Sequence, residues 1–195
     1  MATNTEYEVP TWNQIYDMLI YQSEKIRQNG YQPDVIVGVA RGGLVPARIL
    51  TDLLEIPEIA SLRVEFYVDI AQPSIEPILR QGLTASIAGK KTLLVDDISD
   101  TGQSLKLAKN HLAEQGAKEV KIATLYAKKN TVTKPDYLAK ETDRWVVFPW
   151  EIKETLRKIT QKQEEGKRAV NQEIAKLIKA GLPKQLAERI LKTMQ

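Results

Sequence analysis

The chain has 195 residues, 43% of them hydrophobic and 27% charged, with a net charge of +3 and no cysteine. This is the make-up of a globular domain with a real core and a modest appendage, and it excludes disulfides, thiolate catalysis and Cys-based zinc sites. No apolar run has the length of a membrane span, and the first residues lack the basic start and apolar core of a signal peptide, so the expectation is a cytoplasmic protein with no membrane partner.

Thr11-Trp12-Asn13-Gln14 reads as a capping box, Thr11 at the N-cap and Gln14 reaching back to it. Ile15, Met18, Leu19, Gln22 and Ile26 follow at helical spacing, and Gly30 is a natural stop. Such a helix covers one face of a sheet, with Trp12 and Tyr16 as packing residues. Asp34 to Ala40 is a near-continuous apolar run of the kind found in buried parallel strands. It leads into Arg41-Gly42-Gly43 and then a helix from about Val45 to Leu54, with Pro46 in its first turn. An arginine flanked by glycine at the carboxyl edge of a strand can hold an anion with its side chain and with backbone N–H groups. Equally, it can be a tight turn with a surface arginine.

Ser61 to Asp69 alternates as a strand, with Leu62, Val64, Phe66 and Val68 on one face. Ile70 to Leu83, broken by Pro73 and Pro77, has no clear period and is expected to be a lid or a connection.

The most informative stretch runs from Lys91 to Leu105. Thr92 to Val95 is a short aliphatic strand, and it is expected to end at two adjacent acids, Asp96 and Asp97. After Ile98 and Ser99 come Asp100, Thr101, Gly102, Gln103 and Ser104, then a helix marked by Leu105, Leu107, Ala108 and Leu112 and closed at Gly116. A strand, a turn of small polar residues and a helix N-terminus make an anion site, to which Thr101 and Ser104 add hydroxyls. Gly102 allows close backbone approach or a positive φ. The paired carboxylates beside this cradle can accept hydrogen bonds from sugar hydroxyls, or hold Mg²⁺ directly or through its waters.

Val95 to Ser104 (VDDISDTGQS) closely resembles the signature of the type I phosphoribosyltransferases, which bind 5-phosphoribosyl-1-pyrophosphate (PRPP). The resemblance implies that Asp96 and Asp97 grip the ribose hydroxyls and a Mg²⁺ ion, and that Asp100 is the catalytic acid/base. Asp100 through Ser104 would form the loop for the 5′-phosphate. Arg41 and Gly42 fall where the family binds pyrophosphate, and the Ile70–Leu83 stretch falls where it carries a flexible hood. Family members often have Ser-Tyr before that hood; here the pair is Phe66-Tyr67.

His111, the single histidine, lies in a Lys-rich helical context and reads as a surface or half-buried residue. Val120 to Tyr126 is a further strand, followed by Ala127-Lys128-Lys129. Alternating strands and helices give an α/β fold, a doubly wound and mostly parallel sheet with ligands at the carboxyl ends of its strands. Within Asp143–Glu151, Trp145 could stack on a planar base, and Lys128 could donate to a carbonyl oxygen. Ala127-Lys128 together with Trp145 through Glu151 resembles the purine pocket of the 6-oxopurine branch, particularly the xanthine-guanine phosphoribosyltransferases and their archaeal relatives. In that branch the lysine binds the oxygen at C6, the aromatic stacks on the ring, and backbone after it reads the C2 side. Those roles carry over to Lys128, Trp145 and Val146. Glu151 stands where the family usually has Asp, so a metal-linked role would fall to it, while Val147 and Phe148 replace more polar residues of the bacterial pattern.

The resemblance covers about Val9 to Glu151, giving a phosphoribosyltransferase domain over 1–151 and a helical extension over 152–195. Three short helices are expected in the extension: one with Ile152, Leu156 and Ile159, one with Val170, Ile174, Leu177 and Ile178, and one with Leu186, Ile190, Leu191 and Met194. From Glu151 to Gln195 there are 11 Lys/Arg against 6 Asp/Glu, and in the rest of the chain 17 against 19, so the excess basic charge belongs to the tail. Lys-rich solvated helix faces account for it, and no nucleic-acid partner is expected.

The implied activity is a Mg²⁺-dependent transfer of the phosphoribosyl group from PRPP to hypoxanthine or guanine, and to xanthine as a further candidate. The products would be a nucleoside 5′-monophosphate and pyrophosphate, and the assembly a homodimer or higher oligomer. The rival readings are a PRPP- or nucleotide-sensing regulator on the same fold, and a phosphoribosyltransferase for adenine or a pyrimidine.

Overall fold

A computed structural model describes residues 5–68, 75–83, 85–161 and 167–194. They form two compact units, one of residues 16–142 and the other of 1–15 with 143–195.

The larger unit is a six-stranded sheet in the order β4-β3-β2-β5-β6-β7, made of β2 (Val35–Ala40), β3 (Ile59–Val68), β4 (Ile75–Gln81), β5 (Lys91–Ser99), β6 (Glu119–Ala127) and β7 (Tyr137–Glu141). All neighbours are parallel except β3 and β4. The apolar runs of β2 and β5 lie at the centre, as strands covered on both faces must. Val35, Val37, Val39, Leu62, Leu94 and Ile122 form a core with Leu105, Ala108 and Leu112 of α3 (Gln103–Glu114). That helix closes where glycine was expected, with Gly116 at φ +82°. Helix α2 (Leu44–Leu54) packs on β2 at Gly38, where an added Cβ would lie 3.1 Å from Ala47 Cβ and 3.2 Å from Gly43 O. Helix α1 (Trp12–Gln28) carries the buried Gln22, whose Nε2 donates to Thr124 O at 2.6 Å and Tyr137 O at 2.9 Å, fixing the helix over β6 and β7. The capping box at its start is formed, with Gln14 N–H donating to Thr11 Oγ1 and Thr11 N–H to Gln14 Oε1.

Two expectations change. Part of the proline-broken lid stretch is edge strand β4, antiparallel to β3 with Pro77 opposite Phe66. An edge strand tolerates a residue with no N–H to give, so Pro77 hid a strand. Residues 70–74 of that stretch lie outside the described residues. Strand β5 also continues through the acids to Ser99, with Asp96 beside Thr124 and Ser99 beside Ala127. The pairing with β2 ends at Val95, so β6 alone supplies the ladder there that local propensity does not.

In the smaller unit β1 (Tyr7–Glu8) and β8 (Trp145–Val146) form a parallel pair. The three expected tail helices are α4 (Ile152–Gln161), α5 (Lys167–Lys179) and α6 (Lys184–Lys192). Val147, Ile152, Leu156, Ile159, Leu177, Leu182 and Ala187 make one core, with Tyr7 and Val9 packed against it. Tyr7 Oη also donates to Glu173 Oε2 at 2.7 Å. The tail helices therefore share a core with Val147 and with Tyr7 and Val9 near the N-terminus. Leu177 is fully buried there, so Leu177→Ala should cost about 2–5 kcal/mol of stability. Denaturant titration checks this, and a loss well below that range would mean a loosely packed cluster. No helix among the described residues is long and apolar enough to cross a membrane.

Candidate active site

Strands β2, β5 and β6 deliver the larger unit's candidate residues to one edge, the carboxyl end of the parallel sheet. After β2 the chain turns through Arg41, Gly42 and Gly43, the Ala40–Arg41 peptide being cis. Both glycines are required by close approach. A Cβ on Gly43 would overlap Val95 O and lie 2.8 Å from Val39 O and 2.9 Å from Asp96 Cα. A Cβ on Gly42 would occupy the Asp97 carboxylate. The β2–α2 turn thus runs directly against the acid pair of β5, and the exposed Arg41 stands at the head of that turn.

Asp96 and Asp97 are consecutive residues near the carboxyl end of β5. Asp97 is 8% exposed, and its N–H donates to Asp96 Oδ1 at 3.0 Å. Burial pushes the Asp96 carboxyl well above the usual range, and the neighbouring Asp97 charge adds to the shift. The N–H groups of Asp97 and Gly43 oppose it. Because the folded pKa is raised, ionising Asp96 opposes folding as pH rises from the ordinary carboxylate range through the raised value. A cation, or hydroxyl donors from a ligand, would relieve that cost. This donor set fits Mg²⁺, which binds through one or two carboxylates plus substrate oxygens and keeps several waters. No group of three or more His, Cys, Asp or Glu that could hold a metal ion is found among the described residues.

Asp100 is exposed at the turn that follows. Gly102 caps α3 at φ +80°, a left-handed conformation that suits glycine. The first turn of α3, with Gln103 and Ser104, carries N–H groups that have no acceptor inside the helix. One of them, Gln103 N–H, lies 3.4 Å from Thr101 Oγ1. The turn is backed by the segment after β6. Val132 N–H donates to Thr101 O at 2.9 Å, and a Cβ on Gly102 would overlap Thr131 Oγ1 and lie 2.6 Å from Thr133 N. Sequence reasoning missed Thr131 and Thr133, because two threonines in a polar loop look like any others until the fold lays them against Gly102.

Lys128 begins that same segment, and its N–H donates to Ser99 O at 2.9 Å. The larger unit therefore brings together Arg41, Gly42, Asp96, Asp97, the 100–104 turn and the start of the Lys128 segment. Trp145, Val146 and Glu151 belong to the smaller unit. Trp145 is 55% exposed and its N–H donates to Glu6 O at 2.9 Å, while Val146 is buried. Glu151 Oε1 accepts the Phe148 N–H at 3.2 Å, and its carbonyl accepts the Thr155 N–H at 2.9 Å, so its backbone and side chain shape the turn into α4. His111 is half-buried on α3.

Residues 9–155 match the family described as "Phosphoribosyl transferase domain". A purine phosphoribosyltransferase from Pyrococcus horikoshii is 36% identical in sequence, with a TM-score of 0.68 over 75% of this chain and 94% of that one. A xanthine-guanine phosphoribosyltransferase of Nitratidesulfovibrio vulgaris is 30% identical over 143 residues, 72% of this chain and 82% of the relative. A hypoxanthine-guanine phosphoribosyltransferase of Schizosaccharomyces pombe is 28% identical over 74% of this chain and 88% of its own length.

Proposed function

We propose a reaction for this chain from the premise that it belongs to the phosphoribosyl transferase domain family: it transfers the phosphoribosyl group of PRPP to a 6-oxopurine. The products are a nucleoside 5′-monophosphate and pyrophosphate, as purine salvage requires. The observation that carries this reading is the convergence on one sheet edge of the acid pair, the Gly42 turn pressed against it, and the small-residue turn at the start of α3.

The roles follow from chemistry at that edge. Thr101 through Ser104 hold the 5′-phosphate with hydroxyls and first-turn N–H groups at the positive end of the helix dipole. Asp96 and Asp97 accept the ribose hydroxyls. The same two carboxylates would hold a Mg²⁺ ion, directly or through water and together with substrate oxygens, and a bound ion would neutralise charge on the departing pyrophosphate. Arg41 and the backbone at Gly42 hold the pyrophosphate, with donors already in place as its charge develops. Asp100 moves the proton at purine N7. Lys128 donates to the oxygen at C6, Trp145 stacks on a base, and backbone at Val146 reads the C2 side. Glu151, whose Oε1 accepts the Phe148 N–H, is the further candidate for a metal-linked role. The catalytic domain extends over 1–151 with 152–195 as its helical extension, in a cytoplasmic homodimer or higher oligomer.

The test is pyrophosphate release from PRPP and Mg²⁺ with a panel of bases. Hypoxanthine and guanine should be used, and xanthine measured beside them. No release with any base would favour a nucleotide-sensing regulator. Lys128 argues against adenine, since an ammonium there would meet an amino group in place of an acceptor. Lys128→Gln should lower the preference for oxo over amino purines by about tenfold, because an amide can donate or accept after flipping. If the wild type prefers adenine to hypoxanthine and guanine, the assignment of Lys128 is wrong.

A further inference from the structure

We infer that Thr131 is a positioning residue whose hydroxyl, paired with that of Ser99, holds the base-recognition segment and the 5′-phosphate loop at a fixed separation. This rests on the roles proposed above for Lys128 and for Thr101–Ser104, and it adds a residue that belongs to neither motif.

Ser99 and Thr131 are both buried, and their hydroxyl oxygens are 2.7 Å apart. Each hydroxyl has one proton to give. Ser99 Oγ lies 3.0 Å from Thr133 O, a shorter path than the 3.3 Å from Thr131 Oγ1 to the same carbonyl. The arrangement that satisfies both therefore has Ser99 donating to Thr133 O and Thr131 donating to Ser99 Oγ. Around this pair the backbone is laced on both sides. Lys128 N–H donates to Ser99 O, Thr131 N–H to Lys128 O at 3.2 Å, and Val132 N–H to Thr101 O. Gly102 packs so closely on Thr131, Val132 and Thr133 that no side chain would fit between them. The segment from Lys128 to Thr133 and the turn from Ser99 to Gly102 are thus one body.

A fixed spacing matters only to a ligand that engages both ends at once. A nucleoside monophosphate carries its base and its 5′-phosphate on one ribose, so it gains when Lys128 and the phosphate loop already stand at the right separation. Ribose 5-phosphate engages the phosphate loop and the acid pair and has no base to place. Losing the Thr131 hydroxyl removes one of the two hydrogen bonds at the buried Ser99 Oγ, the one that ties the two segments by their side chains, and it loosens one end against the other.

The test compares Thr131→Val, which keeps shape and loses the hydroxyl, with Thr131→Ser, which keeps the hydroxyl. Dissociation constants are measured for inosine 5′-monophosphate and for ribose 5-phosphate, alongside thermal melting. The expected result is a loss of about tenfold for the nucleotide in Thr131→Val, less than about twofold for ribose 5-phosphate, and near-normal values for both in Thr131→Ser. Equal losses for the two ligands, unchanged affinity for both, or the same selective loss in Thr131→Ser would each overturn the inference. Lys128→Ala separates the premise from the inference. If it leaves nucleotide affinity unchanged, the assignment of the base to Lys128 fails and the coupling with it. If it weakens the nucleotide while Thr131→Val does not, only the coupling fails.

Discussion

Asp100→Asn should lower turnover by about 10²–10⁴-fold, the usual worth of a positioned acid/base, with the KM for PRPP little changed. The carboxylate stands at the exposed turn between β5 and α3, immediately after Ser99, whose carbonyl receives the Lys128 N–H. One backbone step thus separates it from both the phosphate loop and the base-recognition segment. Asparagine has the same shape and leaves the turn intact, but its amide cannot take up a proton and return it. Loss should therefore fall on kcat in both reaction directions. PRPP affinity, set by the 101–104 turn, the acid pair and Arg41, should stay near that of the wild type. Near-normal turnover in the purified variant would remove Asp100 from the mechanism.

Much of this edge is readable along the chain because its parts are local. The capping box of α1, the aliphatic runs of β2 and β5, the acid pair and the glycine at the start of α3 each obey rules that span a few residues. What could not be read depends on partners far away in sequence. The acids looked like the end of β5, yet the strand runs on to Ser99 because β6 continues beside it. Pro77 breaks any period in the stretch after β3, yet it is accommodated at a sheet edge. The tail gave three amphipathic stripes and no sign of what they cover; they meet one another and Tyr7, Val9 and Val147. Ser99 and Thr131 are 32 residues apart, and nothing in a polar loop announces a buried hydroxyl pair.

The contact between Gly42 and Asp97 was equally hidden, and it yields the second large effect. Gly42→Ala should reduce kcat/KM for PRPP by about 10²-fold while leaving thermal stability close to that of the wild type. The reason lies in which atoms the new methyl meets. At Gly42 they are the Oδ2, Cγ and Oδ1 atoms of Asp97, a side chain that can rotate aside and spare the backbone. Its carboxylate would then leave the place where it grips ribose and metal, and displacements of about 1 Å at a reacting site can cost this much. At Gly43 the neighbours are Val39 O, Val95 O and Asp96 Cα, all main chain in the central strands. Gly43→Ala should therefore act on the fold itself and lower the melting temperature together with activity. PRPP saturation kinetics and thermal melts of the two variants separate these outcomes. Wild-type kinetics in Gly42→Ala would mean that the Asp97 carboxylate works equally well from a displaced position, and that the close approach of the two turns serves packing alone.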